Sequence, residues 1–323
     1  MLKRIASKKI IVIASALFAL FLIYLVPKED PISLYEQIPK DLEYVSGDVK
    51  TSEVYLLTNT GLLGRATFVT STSDLDIEAK AREAIELLIQ DGKGESKVPN
   101  GFKAVLPSDT KIISIAYEDS VIKVNFSKEL LDVKKEEEET IIEAIVYSLT
   151  EIPEIEKVIL FLEGDILDKL PQSNITLPST LDRDFGINKQ YEFHTLEDIT
   201  QVTIYYIDKY NDNYYYVPVT KYMNDDREKI KIIIDELTSS PLVGTNLMSF
   251  LSSNAKLLAV EQIEDTLELE FNSYIFDNIE EKNILEEVIY TISLSVADNY
   301  DVEEVVFQVG NEEVYKSVLK EIN

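Results

Sequence analysis

The chain has 323 residues, 45% apolar and 28% charged, enough material for two packed domains of ordinary size. Its 31 Lys and Arg stand against 59 Asp and Glu, a formal charge of −28 that phosphate backbones would repel, so nucleic acid is not an expected partner. The absence of cysteine excludes disulfides, thiolate metal sites, thiol catalysis and an acylated-cysteine lipid anchor, and the single histidine, His194, leaves little for imidazole triads or zinc.

Residues 1–9 carry Lys3, Arg4, Lys8 and Lys9, and residues 10–26 form an apolar run in which only Ser15 and Tyr24 bear a hydroxyl. As a helix rising about 1.5 Å per residue, that run would span roughly 25 Å, slightly less than a bilayer core. The basic flank predicts a cytoplasmic N-terminus at 1–9, a transmembrane anchor at 10–26 and everything beyond it outside the cell. The expected location is therefore the cell membrane, single-pass, with extracytoplasmic domains. A cleaved signal peptide is the competing reading. The run's one small-x-small triplet is Ala14-Ser15-Ala16, and cutting there would leave 17–26 on the mature chain, which favours an uncleaved anchor. Residues 27–50 then read as a linker.

Beyond the linker the chain repeats itself. Residues 103–132 align with 248–277 over 30 positions without a gap, pairing Leu106 with Leu251, Lys111 with Lys256 and Phe126 with Phe271. Ile122, Val124 and Phe126 alternate with Lys123 and Asn125, and Leu267, Leu269 and Phe271 alternate with Glu268 and Glu270, as half-buried strands do. Polar breaks at Glu118-Asp119-Ser120 and Glu264-Asp265-Thr266 predict a hairpin in each copy. Upstream, 81–92 and 231–241 carry helical spacing, with Gly92 and Pro241 as stops. Downstream, 141–150 aligns with 284–293. Ile141, Ile145 and Leu149 form one apolar stripe, and Ile284, Val288 and Ile292 form its counterpart. Each copy begins with a strand (54–57, 204–207) and ends with one (158–162, 305–309), with an extra strand expected at 65–70 and 214–219. The expected fold class is α+β, two tandem repeated domains of order βαββαβ, each a small sheet with two helices on one face. The first domain is expected at 51–165, a linker at 166–200, the second domain at 201–318 and a short tail at 319–323.

The first copy's LPSDTKIISI (106–115) and EDSVIKVNFSKEL (118–130), followed by a helix opening near Glu136, resemble the GerMN domain. The helix end before them, with Asp91-Gly92 in one copy and Ser240-Pro241 in the other, fits that pattern, although Ser252 and Ala255 depart from it where the first copy has Pro107 and Thr110. The tandem arrangement and the segment LDRDFGIN at 181–188 resemble the whole-length GerM family of sporulation and germination proteins. That resemblance implies ring-building-like domains and an extracytoplasmic structural or assembly role supporting the channel complex between mother cell and forespore. Proteins of that channel or of the envelope would be partners, self-assembly would be open to the chain, and no cofactor would be needed. The family resembles lipoproteins; in this cysteine-free chain a spanning segment would replace the lipid anchor.

Candidate chemical sites are few, and each has a plainer reading. His194 lies in YEFHTLED beside Glu192 and Glu197; with no partner at ligand spacing it reads as an ordinary linker residue. Asp208, Tyr210 and Asp212 alternate like early calcium-loop ligands, but Asn213 and Val219 stand where that loop needs Gly and Glu. Glu136, Glu137, Glu138 and Glu139 could bind a metal or a basic partner; as first-turn acids they would each add about 0.3–1 kcal/mol against the helix dipole. Gly61-Leu62-Leu63-Gly64 lacks the ending of a phosphate loop and reads as a turn. Tyr214-Tyr215-Tyr216 could face a carbohydrate or partner, or be strand aromatics with at least one turned to the core. No catalytic, cofactor-binding or metal residue is nominated, and the chain is not expected to be an enzyme. The alternative function is a general envelope protein that holds a cell-wall fragment or small ligand between its two domains.

Overall fold

The structure is a computed structural model and describes residues 50–70, 76–211, 213–239 and 245–319. The expected spanning segment 10–26, most of the linker 27–50, Asp212, Ser240-Pro241 and all but the first residue of the tail 319–323 lie outside the described residues. No helix among the described residues is long and apolar enough to cross a membrane.

In the first repeat the elements are β1 (Thr51–Thr58), β2 (Leu63–Val69), α1 (Ile77–Leu88), β3 (Phe102–Lys103), β4 (Ile112–Glu118), β5 (Val121–Phe126), α2 (Glu138–Leu149), β6 (Lys157–Leu162) and β7 (Asp165–Ile166). A short strand β8 (Gln190–Glu192) precedes the second repeat: β9 (Thr200–Tyr210), β10 (Asn213–Met223), α3 (Lys229–Thr238), β11 (Leu257–Ile263), β12 (Thr266–Phe271), α4 (Glu286–Ala297), β13 (Glu304–Val309) and β14 (Glu312–Val318). The two hairpins expected from the polar breaks are present as β4–β5 and β11–β12. Asp119 and Ser120 both adopt positive φ, the conformation whose twist matches that of the strands a two-residue turn joins.

Each repeat carries its own four-stranded sheet, ordered β4-β5-β6-β7 and β11-β12-β13-β14. In each, the two middle strands run parallel, which requires a crossover, and α2 and α4 supply it. Strand alternation follows the sequence pattern. Ile122, Val124, Phe126, Leu267, Leu269 and Phe271 are buried, while Lys123, Asn125, Glu268 and Glu270 keep partial exposure.

Three features differ from the expectation. First, the opening strand of each repeat does not join that repeat's own sheet. It pairs with the extra strand into a hairpin, and hairpins β1–β2 and β9–β10 join in one further sheet, bridged antiparallel at Arg65 and Tyr216. Helix α2 therefore packs against β1 as well as β6 and is buried from Ile141 through Leu149, not on one stripe alone. Second, 166–200 is not a free linker. Leu167, Leu170, Leu177, Leu181 and Ile187 belong to the first core, whereas the second core begins at Val202. Third, the pairing of the crossover helices is one turn off. Ser148 and Ser295 are equivalent, because their hydroxyls accept from the backbone N–H of Tyr55 (2.8 Å) and Tyr205 (2.9 Å) at matching places in β1 and β9. Ile141 thus corresponds to Val288 and not to Ile284. An apolar stripe recurs every four residues, so it aligns with itself one turn away.

Candidate functional site

The repeats meet where β1 and β9 place Tyr55 and Tyr205 side by side, both fully buried. Their hydroxyls lie 2.7 Å apart. Each also lies within hydrogen-bond distance of an acid just past its own crossover helix: Tyr55 Oη is 2.7 Å from Glu151 Oε1, Tyr205 Oη 3.1 Å from Asp298 Oδ2. Glu151 follows Ser148 by the same interval as Asp298 follows Ser295, so the junction has approximate two-fold symmetry built from the repeat itself.

One residue breaks that symmetry and closes the ring. Arg183, from the 181–188 segment, bonds to Asp298 Oδ1, lies 3.3 Å from Glu151 Oε1, and stands 4.9 Å from the centre of the Tyr147 ring. Arg65, on β2, adds a 3.0 Å bond to Glu151 and reaches Glu53 at 3.6 Å. Burial alone would push the Glu151 carboxyl up, but the Arg65 and Arg183 guanidinium groups and the Tyr55 hydroxyl reverse that and hold it at about 2. Burial raises Asp298, with Arg183 offsetting part of the rise. It also keeps the Tyr55, Tyr147 and Tyr205 phenols protonated, well above their ordinary range.

The same segment joins the two hairpins. Asn188, at φ +49°, accepts from Leu63 N–H (2.9 Å) and donates to Leu63 C=O (2.8 Å) and Pro218 C=O (2.7 Å), so its amide stands in for a strand residue between β2 and β10. Gly186, at φ +79°, has the Tyr222 hydroxyl 2.9 Å from where a Cβ would be, so a side chain there would clash as well as strain the backbone. Asn188→Ala is expected to cost about 1–3 kcal/mol, because it strands the Leu63 backbone groups; urea unfolding monitored by circular dichroism measures it.

Glu53 is the network's least satisfied member. Its side chain is buried and Oε1 has no hydrogen-bond partner. Burial raises its pKa to about 7, Arg65 pulling down and Glu151 pushing up; Glu143, raised chiefly by burial, also sits at about 7. Both groups favour folding while protonated. Their contribution is complete below the unfolded value near 4.5 and is lost as pH rises through 7, whereas that of Glu151 is lost as pH falls from 4.5 towards 2. Glu53→Gln is therefore expected to melt about 5 °C above the parent at pH 8 and close to it at pH 5, a difference that thermal melts at the two pH values would reveal.

The cavity beside this network, about 570 Å³, is lined by both repeats. Elsewhere, His194 is exposed, and its backbone N–H donates to Asn224 Oδ1. Asp208 lies in β9 and accepts from Thr60 at 2.9 Å, so it belongs to a strand. Glu138 does more than face the helix dipole: fully buried, it accepts from the backbone of Gln172 (2.8 Å) and Ser173 (2.7 Å), tying that segment to α2. Gly61, at φ +81°, sits in the β1–β2 turn. Tyr215 packs against the first core and donates to Asn100 C=O (2.6 Å), Tyr216 stacks on Tyr290, and Tyr214 stays exposed against Phe250. Among the described residues no group of three His, Cys, Asp or Glu is placed to hold a metal. Sequence reasoning missed Tyr55, Glu151, Arg183, Asn188, Tyr205 and Asp298. The one available signal was the segment LDRDFGIN, which contains Arg183 and Asn188.

The family model described as "Germane: Sporulation and spore germination" matches residues 53–168 and 203–315. The spore germination protein GerM of Bacillus subtilis (strain 168) is 33% identical over 265 residues, covering 80% of this chain and 71% of that protein. The solved tandem GerMN domains of the sporulation protein GerM from Bacillus subtilis superpose with a TM-score of 0.74 at 30% identity, covering 81% of this chain and 92% of theirs.

Proposed function

The chain belongs to the Germane family of sporulation and spore germination proteins, and from that premise we propose that it is a structural assembly protein supporting the channel complex between mother cell and forespore. In this reading residues 10–26 anchor it in the membrane, its domains work outside the cytoplasm, and it binds proteins of the channel or envelope without turning over a substrate. The observation that carries the reading is the junction. Two diverged repeats are locked by a buried ionic ring and a common sheet, giving one body with two four-stranded sheets whose edge strands differ in sequence. Such a body can hold two different neighbours at a fixed separation, and membrane anchoring raises its effective concentration beside them. Deleting the gene in its own host is expected to lower heat-resistant spores by about tenfold or more with vegetative growth unchanged; a normal spore count would refute the proposal.

The cavity between the repeats favours a second reading, an envelope protein that holds a cell-wall fragment or small ligand there. Retention of the full chain on purified sacculi is its test.

A further inference from the structure

The two four-stranded sheets end in equivalent edge strands, β4 and β11, and the repeats treat those edges differently. In β4 the Tyr117 N–H, turned away from β5, donates to Glu78 Oε1 at 3.1 Å, and α1, which carries Glu78, packs along the strand. With the buried Ala84 and Leu88 of α1 matched to the buried Ile233 and Leu237 of α3, the place of Glu78 falls to Arg227, which is bonded to Asp225 and Asp235 instead. Helix α3 packs on β9 and α4. Gln262 holds the place of Tyr117 in the hairpin register, so by the alternation of an antiparallel ladder Gln262 and Val260 turn their main-chain groups away from β12. Among the described residues those groups have no hydrogen-bond partner on that side. Strand β11 carries neither Lys nor Pro, residues that commonly blunt an open edge.

The open face beside the edge differs as well. Where the first sheet has Ala116, Lys123 and Asn125, the second has Glu261, Glu268 and Glu270 at the same places in the register. Glu268 accepts from the Gln308 side-chain amide (2.9 Å) and Glu270 from Gly310 N–H (2.7 Å), while Glu261 is exposed. Among the described residues none of the three has a cation within ion-pair distance. From Leu257 to Phe271 the chain has five acids and no Lys or Arg. We propose that β11 takes an extended, basic segment of a partner protein as an added strand. Main-chain bonds at Val260 and Gln262 hold the segment, and Lys or Arg at its alternate positions lie beside Glu261 and Glu268. A second β11 would set acids against acids, so two copies do not join here, and the first sheet lacks both the open N–H and the acidic face. The inference rests on the assembly role proposed above and gives it one edge and a partner chemistry.

The test is fluorescence anisotropy of a labelled octapeptide alternating Lys and Thr, titrated with the full chain at about 0.15 M salt. Saturable binding is expected, and the same peptide with Glu for Lys is expected not to bind. Glu261→Lys is expected to weaken the Lys peptide about tenfold and to admit the Glu peptide. Gln262→Pro, at an exposed position, removes one outward N–H and leaves every charge in place; a similar weakening of the Lys peptide is expected. Should Gln262→Pro fail to fold, the Lys peptide methylated at alternate main-chain nitrogens replaces it, with the same expected loss. No saturable binding up to about 1 mM would overturn the inference. So would binding indifferent to Gln262→Pro or to methylation, since an acidic surface without a strand edge behaves that way. In the host, full heat-resistant spore yield from the chain carrying both substitutions would overturn it while leaving the assembly role intact. A normal spore count on deletion, with peptide binding preserved, would remove that role and leave the edge as a binding site.

Discussion

Replacing Arg183 by alanine is expected to lower the stability of the folded chain by about 3–5 kcal/mol, a melting shift of roughly 10 °C. The cause is not the loss of one attractive pair. Arg183 is the group that Glu151 of the first repeat and Asp298 of the second share, and removing it leaves Asp298, whose side chain is 3% exposed, with no cation in the ring. Glu151 keeps Arg65 and suffers less. The penalty is carried by ionised carboxylates, so it is expected to shrink as pH falls, burial already raising the Asp298 carboxyl above its ordinary range. Adding Asp298→Asn to Arg183→Ala is expected to restore part of the loss. Equal melting of Arg183→Ala and the parent at pH 8 would show that the ring contributes nothing.

Phe271→Ala and Phe126→Ala are the other pair with large expected effects, about 3–5 kcal/mol each. Both rings are wholly buried at equivalent points of β12 and β5, and Phe271 stacks on Phe307 with centroids 6.2 Å apart. The informative part is the shape of the transition. Each substitution falls in one core, but β2–β10 pairing, Asn188 and the ionic ring connect the cores. Either variant is therefore expected to unfold in one transition at a lower temperature, read by scanning calorimetry. Two transitions, one at the parental temperature, would mean the repeats fold independently.

Much of this fold was legible from local pattern. Ile122, Val124 and Phe126 announced a half-buried strand, the Glu118-Asp119-Ser120 break announced its hairpin, and Ile141, Ile145 and Leu149 announced a helix face, because period and turn chemistry are written in neighbouring residues. The duplication was visible for the same reason. What escaped were relations between distant residues. Tyr55 and Tyr205 are 150 positions apart, and nothing near either marks a hydroxyl-to-hydroxyl contact. Arg183 and Asn188 lie in a stretch with no apolar period, where a charge normally means solvent, so 166–200 read as linker although its leucines complete a core. The one-turn slip between α2 and α4 has the opposite origin: the period was so regular that two registers fitted it. Residues that join two repeats are the hardest to read, since each copy's pattern is satisfied without them.

The proposed role needs the two repeats to work in sporulation as one clasped body. Its most direct test is the heat-resistant spore yield of a deletion strain supplied with either the parental chain or Arg183→Ala combined with Asn188→Ala, at equal protein levels. Parental yield is expected from the first and a yield near that of the deletion from the second. Full yield from the double variant, with calorimetry showing its repeats unfolding separately, would contradict it.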